Sequence, residues 1–270
     1  PYAYEARPWE LNKTLGIDVS DAVGANIRID SRGREVLRVL PRVNDDVNEE
    51  WLSDKARFMV DGLTRRRLDA VWIRRDGKLH RADWNEAFAA IAAAYRSSGE
   101  GADIAAIAGD MLDCETMFAA RELLAACGST LVESRQTGMD YDTSSLAAVN
   151  FNSTLAGIEE ADAILIIGSH VRWDAPLVNV RLRKAVKRGA RVFIVGPEWE
   201  TTFPATFLGA DAAVLADLPA AVTEAFAAAQ RPAIILGPAG FGAGLLGPAL
   251  RLAHQLGVVK DGWNGFNALH

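Results

Sequence analysis

The chain has 270 residues, of which 50% are hydrophobic and 24% are charged, and its formal net charge at pH 7 is -6. This composition is typical of a globular protein with one large or two modest domains. Because the sequence has no long basic block and no apolar run of roughly 18 residues, we expect neither a nucleic-acid partner nor direct insertion into a membrane.

The first part of the chain predicts a small lobe that contains β-strands. Apolar and polar residues alternate over residues 26–41 on both sides of a turn that includes Gly33, which is the pattern of a β-hairpin. We expect residues 1–82 to form this lobe. Residues 83–270 would then form a Rossmann-like α/β domain that is cut short at its C-terminal end.

A capped helix is predicted next. Asp83, followed three residues later by Glu86, is a capping-box arrangement, and Gly99 marks the end of the helix. We expect two aromatic residues of this region, Phe58 and Trp84, to be buried and structural. Replacement of Trp84 by alanine would then cost about 3–5 kcal/mol of stability.

Beyond this helix, short apolar segments alternate with helical patterns. Strands are predicted at 103–109, 130–133, 163–167, 191–196 and 232–237, with a weaker candidate at 212–216, and helices at 113–127, 176–188, 218–229 and 243–256. Continuous apolar strands between helices indicate a parallel sheet that is covered on both faces. The predicted fold class is α/β, with a doubly wound, mainly parallel Rossmann-like sheet beside the small β-containing lobe.

The cysteine content limits the redox chemistry. Cys114 and Cys127 are the only cysteines, which is too few for a disulfide framework and indicates a reducing compartment. Both lie in a helical pattern, where we expect them to be buried as small hydrophobic residues. Two cysteines cannot hold an ordinary iron–sulfur cluster, which usually takes four. Since the chain begins at Pro1 without a methionine, we expect it to be a fragment or a processed product. Its first ten residues do not have the order of a signal peptide.

Four predicted strand ends carry a glycine, and ligands of open α/β sheets bind at such ends. These glycines are Gly109, Gly168, Gly196 and Gly237. The turn at Gly237 is the richest in glycine, but it lacks the dinucleotide-binding spacing and the acidic residue that should follow about 20 residues later. We favour plain strand-to-helix turns at all four positions, with a nucleotide at Gly237 as the alternative.

The remaining polar residues form no recognisable catalytic pattern. None of the four histidines stands at metal-ligand spacing from a cysteine or carboxylate, and no nucleophile elbow occurs. The acidic pairs at 45–46 and 49–50 are interpreted as solvated surface. From the residues alone we predict no catalytic residue, no cofactor-binding residue and no metal ligand in this chain.

Two long segments resemble the molybdopterin oxidoreductases. Residues 47–88, which begin VNEEWLSDKARF, resemble the N-terminal part of that family. Residues 161–197, which contain DAILIIGSHVRWDAP, resemble the segment that holds the guanine dinucleotide end of the family's cofactor. The resemblance covers almost all of the chain and implies the same α/β fold.

The positions that would hold the family's cofactors depart from its pattern. The cluster-ligating cysteine of the family falls at Ser53, and His170 stands where an asparagine normally follows the Gly168-Ser169 pair. At the end of the next predicted strand the family usually has Asp-Pro-Arg, whereas this chain has Gly196-Pro197-Glu198. The carboxylate of Glu198 would therefore face pyrophosphate and repel it. The resemblance therefore implies a family fold whose cofactor pocket has been lost.

Three further segments, at 1–29, 40–63 and 261–270, resemble one branch of that family, the large iron–sulfur subunits of respiratory complex I (NADH:quinone oxidoreductase). This resemblance implies that the clusters lie in a region upstream of this chain, and that the chain has no cofactor and serves as a structural and interaction domain. The complete subunit would belong to an enzyme, although this segment is not expected to be catalytic. Its partners would be other peripheral-arm subunits. It would lie at the cytoplasmic face of a bacterial inner membrane or on the mitochondrial matrix side.

Two alternative functions stay open at the level of sequence. An active molybdopterin enzyme, related to formate dehydrogenase or nitrate reductase, would need a ligand to molybdenum, for which Asp140 or Asp142 could serve. The segment 231–244, RPAIILGPAGFGAG, is also similar to the middle domain of thiamine-diphosphate enzymes and to plain nucleotide-binding domains.

Overall fold

The computed structural model describes residues 4–98, 103–109, 111–135, 138–139, 141–142 and 144–270. The chain forms two compact units: a main unit of Pro1–Asp61 with Met139–His270, and a small unit of Gly62–Gly138. The units meet after Asp61 and after Gly138, whereas the predicted domains 1–82 and 83–270 meet after residue 82. The predicted domain boundary stays a prediction.

The N-terminal part of the main unit is a three-stranded antiparallel sheet with the strand order β1-β2-β3. Its strands are β1 (Asn12–Ile17), β2 (Asn26–Arg32) and β3 (Glu35–Pro41). The pairing of β2 with β3 confirms the predicted hairpin. The short helix α1 (Asp54–Phe58) follows. The expectation for Phe58 was wrong, because its side chain is 46% exposed.

The small unit contains a hairpin, two helices and a minimal parallel sheet. Its elements are β4 (Val71–Arg75), β5 (Lys78–Ala82), α2 (Trp84–Ser97), β6 (Ala106–Ile107), α3 (Cys114–Ala126) and β7 (Val132–Glu133). The side chain of Asp83 accepts a hydrogen bond from Glu86 N at 2.9 Å, which confirms the predicted start of α2. The predicted helix end at Gly99 lies outside the described residues.

Several burial predictions in the small unit were wrong. Trp84 is 67% exposed, and its ring lies at a tilt against that of Phe88, with 5.7 Å between the centroids. The large cost expected for removal of a buried aromatic ring therefore does not apply. Cys114 is exposed and Cys127 is only half-buried. A capping pattern fixes where a helix begins, but it does not determine which of its faces is covered.

The main sheet has five parallel strands in the order β10-β9-β8-β11-β14. The remaining elements are β8 (Ala163–Ile167), α4 (Val171–Asp174), α5 (Pro176–Lys187), β9 (Arg191–Val195), β10 (Thr206–Gly209), α6 (Ala220–Ala228), β11 (Pro232–Leu236), α7 (Pro238–Gly242), α8 (Leu246–Gln255), β12 (Val259–Lys260), β13 (Trp263–Asn264) and β14 (Phe266–Ala268). Every residue of β8 and β11 is buried, as expected for central parallel strands.

Helices cover both faces of this sheet. Leu165 and Ile167 of β8 pack in one core with α6 and α8, whereas Ile164 and Ile166 pack in a second core with α5. This alternation follows from the two-residue period of a strand. The predicted α/β fold class with a doubly wound parallel sheet is confirmed. In the described part of the chain, no helix has the length and apolarity needed to cross a membrane.

Several predicted elements differ from the structure. The predicted strands 103–109 and 130–133 are reduced to the two-residue strands β6 and β7. Residues 212–216 form a single 3-10 turn instead of a strand, because the Asp211 side chain accepts a hydrogen bond from Ala213 N at 2.8 Å and initiates a helical turn. The helix predicted from residue 243 begins at Leu246. Gly244 has a φ of +70°, in the left-handed region, and this residue separates α7 from α8.

Candidate functional site

The candidate site is the edge of the main sheet at the carboxyl ends of β8, β9 and β11, which we call the strand-end edge. Gly168 follows β8, Gly196 follows β9 and Gly237 follows β11, so neighbouring parallel strands bring three of the four predicted glycine turns to this edge. Gly109 follows β6 in the small unit and is not part of it.

The turns after β8 and β11 pack directly against each other. Gly237 N donates to Ile167 O at 2.9 Å, and Ala239 N and Gly240 N donate to Gly168 O at 3.0 and 3.3 Å. A Cβ atom on Gly168 would lie 2.3 Å from Gly240 N. The glycine-rich turn that looked best suited to phosphate therefore uses these amides to bind carbonyl groups of the neighbouring turn.

The turn after β8 is closed by Asp174, the last residue of α4. Asp174 Oδ2 accepts hydrogen bonds from Ser169 Oγ at 2.8 Å and from His170 N at 2.9 Å. Ser169 is only 7% exposed. A hydroxyl and a backbone amide at the end of a strand are donors that a phosphate group would use, and here a carboxylate of the chain itself accepts from both.

Three aromatic rings contact one another, one from the turn after β8, one from the loop after β9 and one from β10. The ring of His170 stacks on Trp199 with 4.3 Å between the ring centroids, and Trp199 meets Phe207 edge-on at 6.3 Å. His170 Nδ1 and Trp199 Nε1 are buried atoms without a hydrogen-bond partner among the described residues. Sequence analysis identified neither Trp199 nor Asp174, because a single tryptophan or aspartate in a loop forms no pattern.

The charges at the strand-end edge disfavour an anionic ligand. Glu198 and Glu200 follow β9 and are exposed, and Asp174 adds a third carboxylate beside β8. Arg172 and Lys55 bring positive charge near this edge, and both contact oxygens of the chain itself. Arg172 lies 3.7 Å from the Glu200 carboxylate, and Lys55 Nζ lies 3.5 Å from Asp174 O.

The two other sequence candidates also have local structural roles. Ser53, the position of the family's cluster-ligating cysteine, caps α1 by accepting a hydrogen bond from Ala56 N at 3.2 Å. Asp142 is exposed, and hydrogen bonds from Ser144 hold the pKa of its carboxyl below the usual value. Asp140 lies outside the described residues. No group of three or more potential metal ligands occurs among the residues that the structure describes.

A buried ion cluster joins α5 to the loop after β3. Glu159 is 8% exposed and Arg181 is 5% exposed, and Arg181 Nη1 donates to Glu159 Oε1 at 2.6 Å. The other guanidinium arm donates to the backbone oxygens of Asp45 and Val47 at 2.6 and 3.2 Å. This cluster could not be predicted from the sequence, because Arg181 lies 22 residues from Glu159 and more than a hundred residues from Asp45 and Val47.

The acidic pair at 49–50 is only partly the solvated surface that the sequence predicted. Glu49 pairs with Lys184, which also donates to Glu159 at 3.1 Å. Burial acts to raise the pKa of Glu159, but the hydrogen bonds from Arg181 and Lys184 outweigh it and leave this pKa below its ordinary value.

This lowered pKa predicts a stability change in acid. A carboxyl whose pKa is lower in the folded than in the unfolded state stabilises the protein above the unfolded value, and the stabilisation is lost as the pH falls toward the folded value. We therefore expect the stability difference between the wild type and Glu159→Gln to be constant near neutrality and to shrink below the ordinary pKa of 4.5. Urea titrations between neutral pH and the acid limit of folding would measure it. A difference that grows in acid would contradict the prediction.

Two family models match the chain. Residues 67–270 match the model described as molybdopterin oxidoreductase. Residues 11–61 match the model described as NADH-ubiquinone oxidoreductase NDSU1/NuoG-like, 4Fe-4S domain. Together the two models cover almost the whole chain.

Curated relatives match over the full length of the chain. It is 41% identical over 278 residues to the G subunit of NADH-quinone oxidoreductase from Rickettsia felis, 41% of whose length is covered. It is 41% identical over 281 residues to the mitochondrial NADH-ubiquinone oxidoreductase 78 kDa subunit of Candida albicans, with 39% covered. It is 38% identical over 278 residues to the mitochondrial NADH dehydrogenase (ubiquinone) iron-sulfur protein 1 of Solanum tuberosum, with 38% covered. The chain thus spans about two fifths of the length of these relatives.

Proposed function

Because the chain belongs to the molybdopterin oxidoreductase family and is similar throughout to the G subunit of NADH-quinone oxidoreductase, we propose that it is a structural and interaction domain of such a protein. The complete protein would pass electrons from NADH toward quinone through iron–sulfur clusters. This domain would support the cluster-bearing region and contact other peripheral-arm subunits of complex I. The assembly would lie at the cytoplasmic face of a bacterial inner membrane, or on the matrix side in mitochondria.

The observation that carries this proposal is the attachment of residues 11–61 to the main sheet. This segment, which matches the 4Fe-4S domain model, belongs to the same compact unit as the sheet. Arg181 binds backbone oxygens of Asp45 and Val47, and Glu159 balances its charge. Charge-assisted hydrogen bonds to the backbone fix the position of a loop. A rigid sheet that holds this segment in place is what a supporting domain requires.

The strand-end edge, in this proposal, has lost the cofactor of the family. The residues there do not fit a pyrophosphate group, because Asp174 already binds the donors of Ser169 and His170. Glu198 adds a negative charge to the same edge. An active molybdopterin enzyme and a nucleotide-binding domain are both disfavoured for this reason, since each would need the hydroxyl and amide donors that directly follow the strand.

The proposal also assigns no complete iron–sulfur cluster to this chain alone. The segment 11–61 contains no cysteine, since Cys114 and Cys127 both lie outside it. A cluster usually takes four thiolate ligands. The ligands of a cluster that this segment helps to enclose would therefore come from another part of the polypeptide.

Metal analysis and a nucleotide titration test these statements together. We expect the purified chain to contain no stoichiometric iron, molybdenum or tungsten, and to show no GDP binding in calorimetry. Glu198→Arg exchanges a repulsive for an attractive charge, yet it should bind GDP no better than millimolar, because a dinucleotide needs several contacts at once. Stoichiometric metal, or micromolar GDP binding by the unmodified chain, would show that the cofactor site still works.

A further inference from the structure

The turn after β8 points to a specific role for Asp174. We propose that its carboxylate is a built-in anion, which takes the place of a ligand's anionic group at the strand-end edge and holds the turn closed. This inference deepens the proposed loss of the cofactor and rests on it. Asp174 is the residue that accepts the hydrogen bonds of Ser169 and His170 in place of a ligand.

The hydrogen bonds of Asp174 have the pattern that binds an anion. A single oxygen, Oδ2, accepts from the Ser169 hydroxyl at 2.8 Å and from the His170 amide at 2.9 Å. Both donors follow directly after the strand end and Gly168. Successive donors of this kind form concavities that bind phosphate and carboxylate groups. The carboxylate lies where such a group would be held.

The backbone around Asp174 keeps the carboxylate in this position. Asp174 N donates to His170 O at 2.9 Å, and Ala175 N donates to Val171 O at 3.1 Å. Ala175 is fully buried, and Pro176 then opens α5 with a fixed φ. Both sides of Asp174 are thus anchored through the backbone, and this fixes the point from which its side chain reaches Ser169 and His170.

The closed turn also positions the stacked rings of His170 and Trp199. Asp174 binds the backbone amide of His170, and the ring of that residue stacks on Trp199, which follows β9. Asp174 thus acts as a positioning residue through His170. Four donors of the turns after β8 and β11 are bound within the chain, namely Ser169 Oγ, His170 N, Ala239 N and Gly240 N.

Without the carboxylate of Asp174, the thermal stability of the protein should depend on an added anion. We expect Asp174→Ala to lower the melting temperature by about 5 °C, because two hydrogen bonds to a charged group are lost. Sodium formate, which carries the missing carboxylate, should restore at least half of this loss in a saturable manner. Sodium chloride at equal ionic strength should not restore it.

Two further variants complete the test. Glu198→Gln removes a negative charge from the same edge and should show no response to formate, like the wild type. Asp174→Asn keeps an oxygen acceptor and should fold, but its His170 amide should exchange hydrogen roughly tenfold faster than in the wild type.

Three results would overturn the role of Asp174. The first is an Asp174→Ala variant with the same melting temperature as the wild type. The second is an equal rise in melting temperature with formate in all variants. The third is an unchanged rate of amide hydrogen exchange at His170 in Asp174→Asn. None of them would affect the proposed function. That proposal fails on metal content or GDP binding by the unmodified chain, which are measured separately.

Discussion

Replacement of Arg181 by methionine is expected to lower the free energy of unfolding of the main unit by about 3–5 kcal/mol, as for other broken buried ion pairs. The variant leaves the Glu159 carboxylate buried without its closest partner, at 2.6 Å in the wild type. It also removes the donors to Asp45 O and Val47 O. Urea unfolding followed by circular dichroism would measure the loss.

A matched control separates the buried pair from general charge effects. Arg188 also contacts Glu159, at 3.3 Å, but its side chain is 61% exposed. Arg188→Met should therefore cost less than about 1 kcal/mol, as is usual for exposed ion pairs. The double variant Glu159→Gln with Arg181→Met should be more stable than the sum of the single losses predicts, since the two residues are directly coupled. An Arg181→Met midpoint equal to that of the wild type would contradict the proposed attachment of residues 11–61.

Replacement of Gly168 by alanine should have a comparable effect for a different reason. The residue has a φ of +61°, and its added Cβ would lie 2.3 Å from Gly240 N and 2.7 Å from Gly240 Cα. Both neighbours are backbone atoms, so a side-chain rotation cannot relieve the clash. Left-handed strain and overpacking together should cost about 3–5 kcal/mol. Thermal unfolding of the variant would measure this cost.

Gly257 offers a control with the same backbone conformation. Its φ is also +61°, but no atom lies within 4 Å of the position that a Cβ would occupy. Gly257→Ala should therefore show only the conformational strain, about 1–2 kcal/mol. The difference between the two variants measures how closely the turns after β8 and β11 approach each other. Equal losses in both would mean that these turns can separate, and that room for a ligand exists between them.

Local patterns predicted several elements correctly, and each has a local physical cause. The alternation over residues 26–41 reflects the two-residue period of a strand, and Asp83 caps its helix through an amide three residues away. The apolar run 163–167 became the central buried strand. The resemblance to molybdopterin oxidoreductases and complex I subunits likewise depended on contiguous motifs, which survive when individual ligands are lost.

Burial on a particular helix face was decided by the tertiary structure. Trp84 and Phe58 belong to apolar patterns that are compatible with a core, yet both are exposed. An apolar residue is buried only when another element covers it, and the sequence of one helix does not specify that element. For the same reason, the buried role of Arg181 was invisible in a segment that reads as a mixed, charged helix.

At the candidate site, the sequence by itself determined which residues follow the strands, and the tertiary structure decided what they bind. The glycines at 168 and 237, and Glu198, were correctly identified as strand-end residues. Whether their amides face a ligand or each other depends on how closely two strands place their turns, and here Gly240 N donates to Gly168 O. Asp174 reaches the turn of β8 because α4 folds back by a single turn. A hydrogen bond forms only between groups that the fold brings together. Which donors at this edge bind acceptors of the chain itself could therefore be seen only in the three-dimensional structure of the sheet.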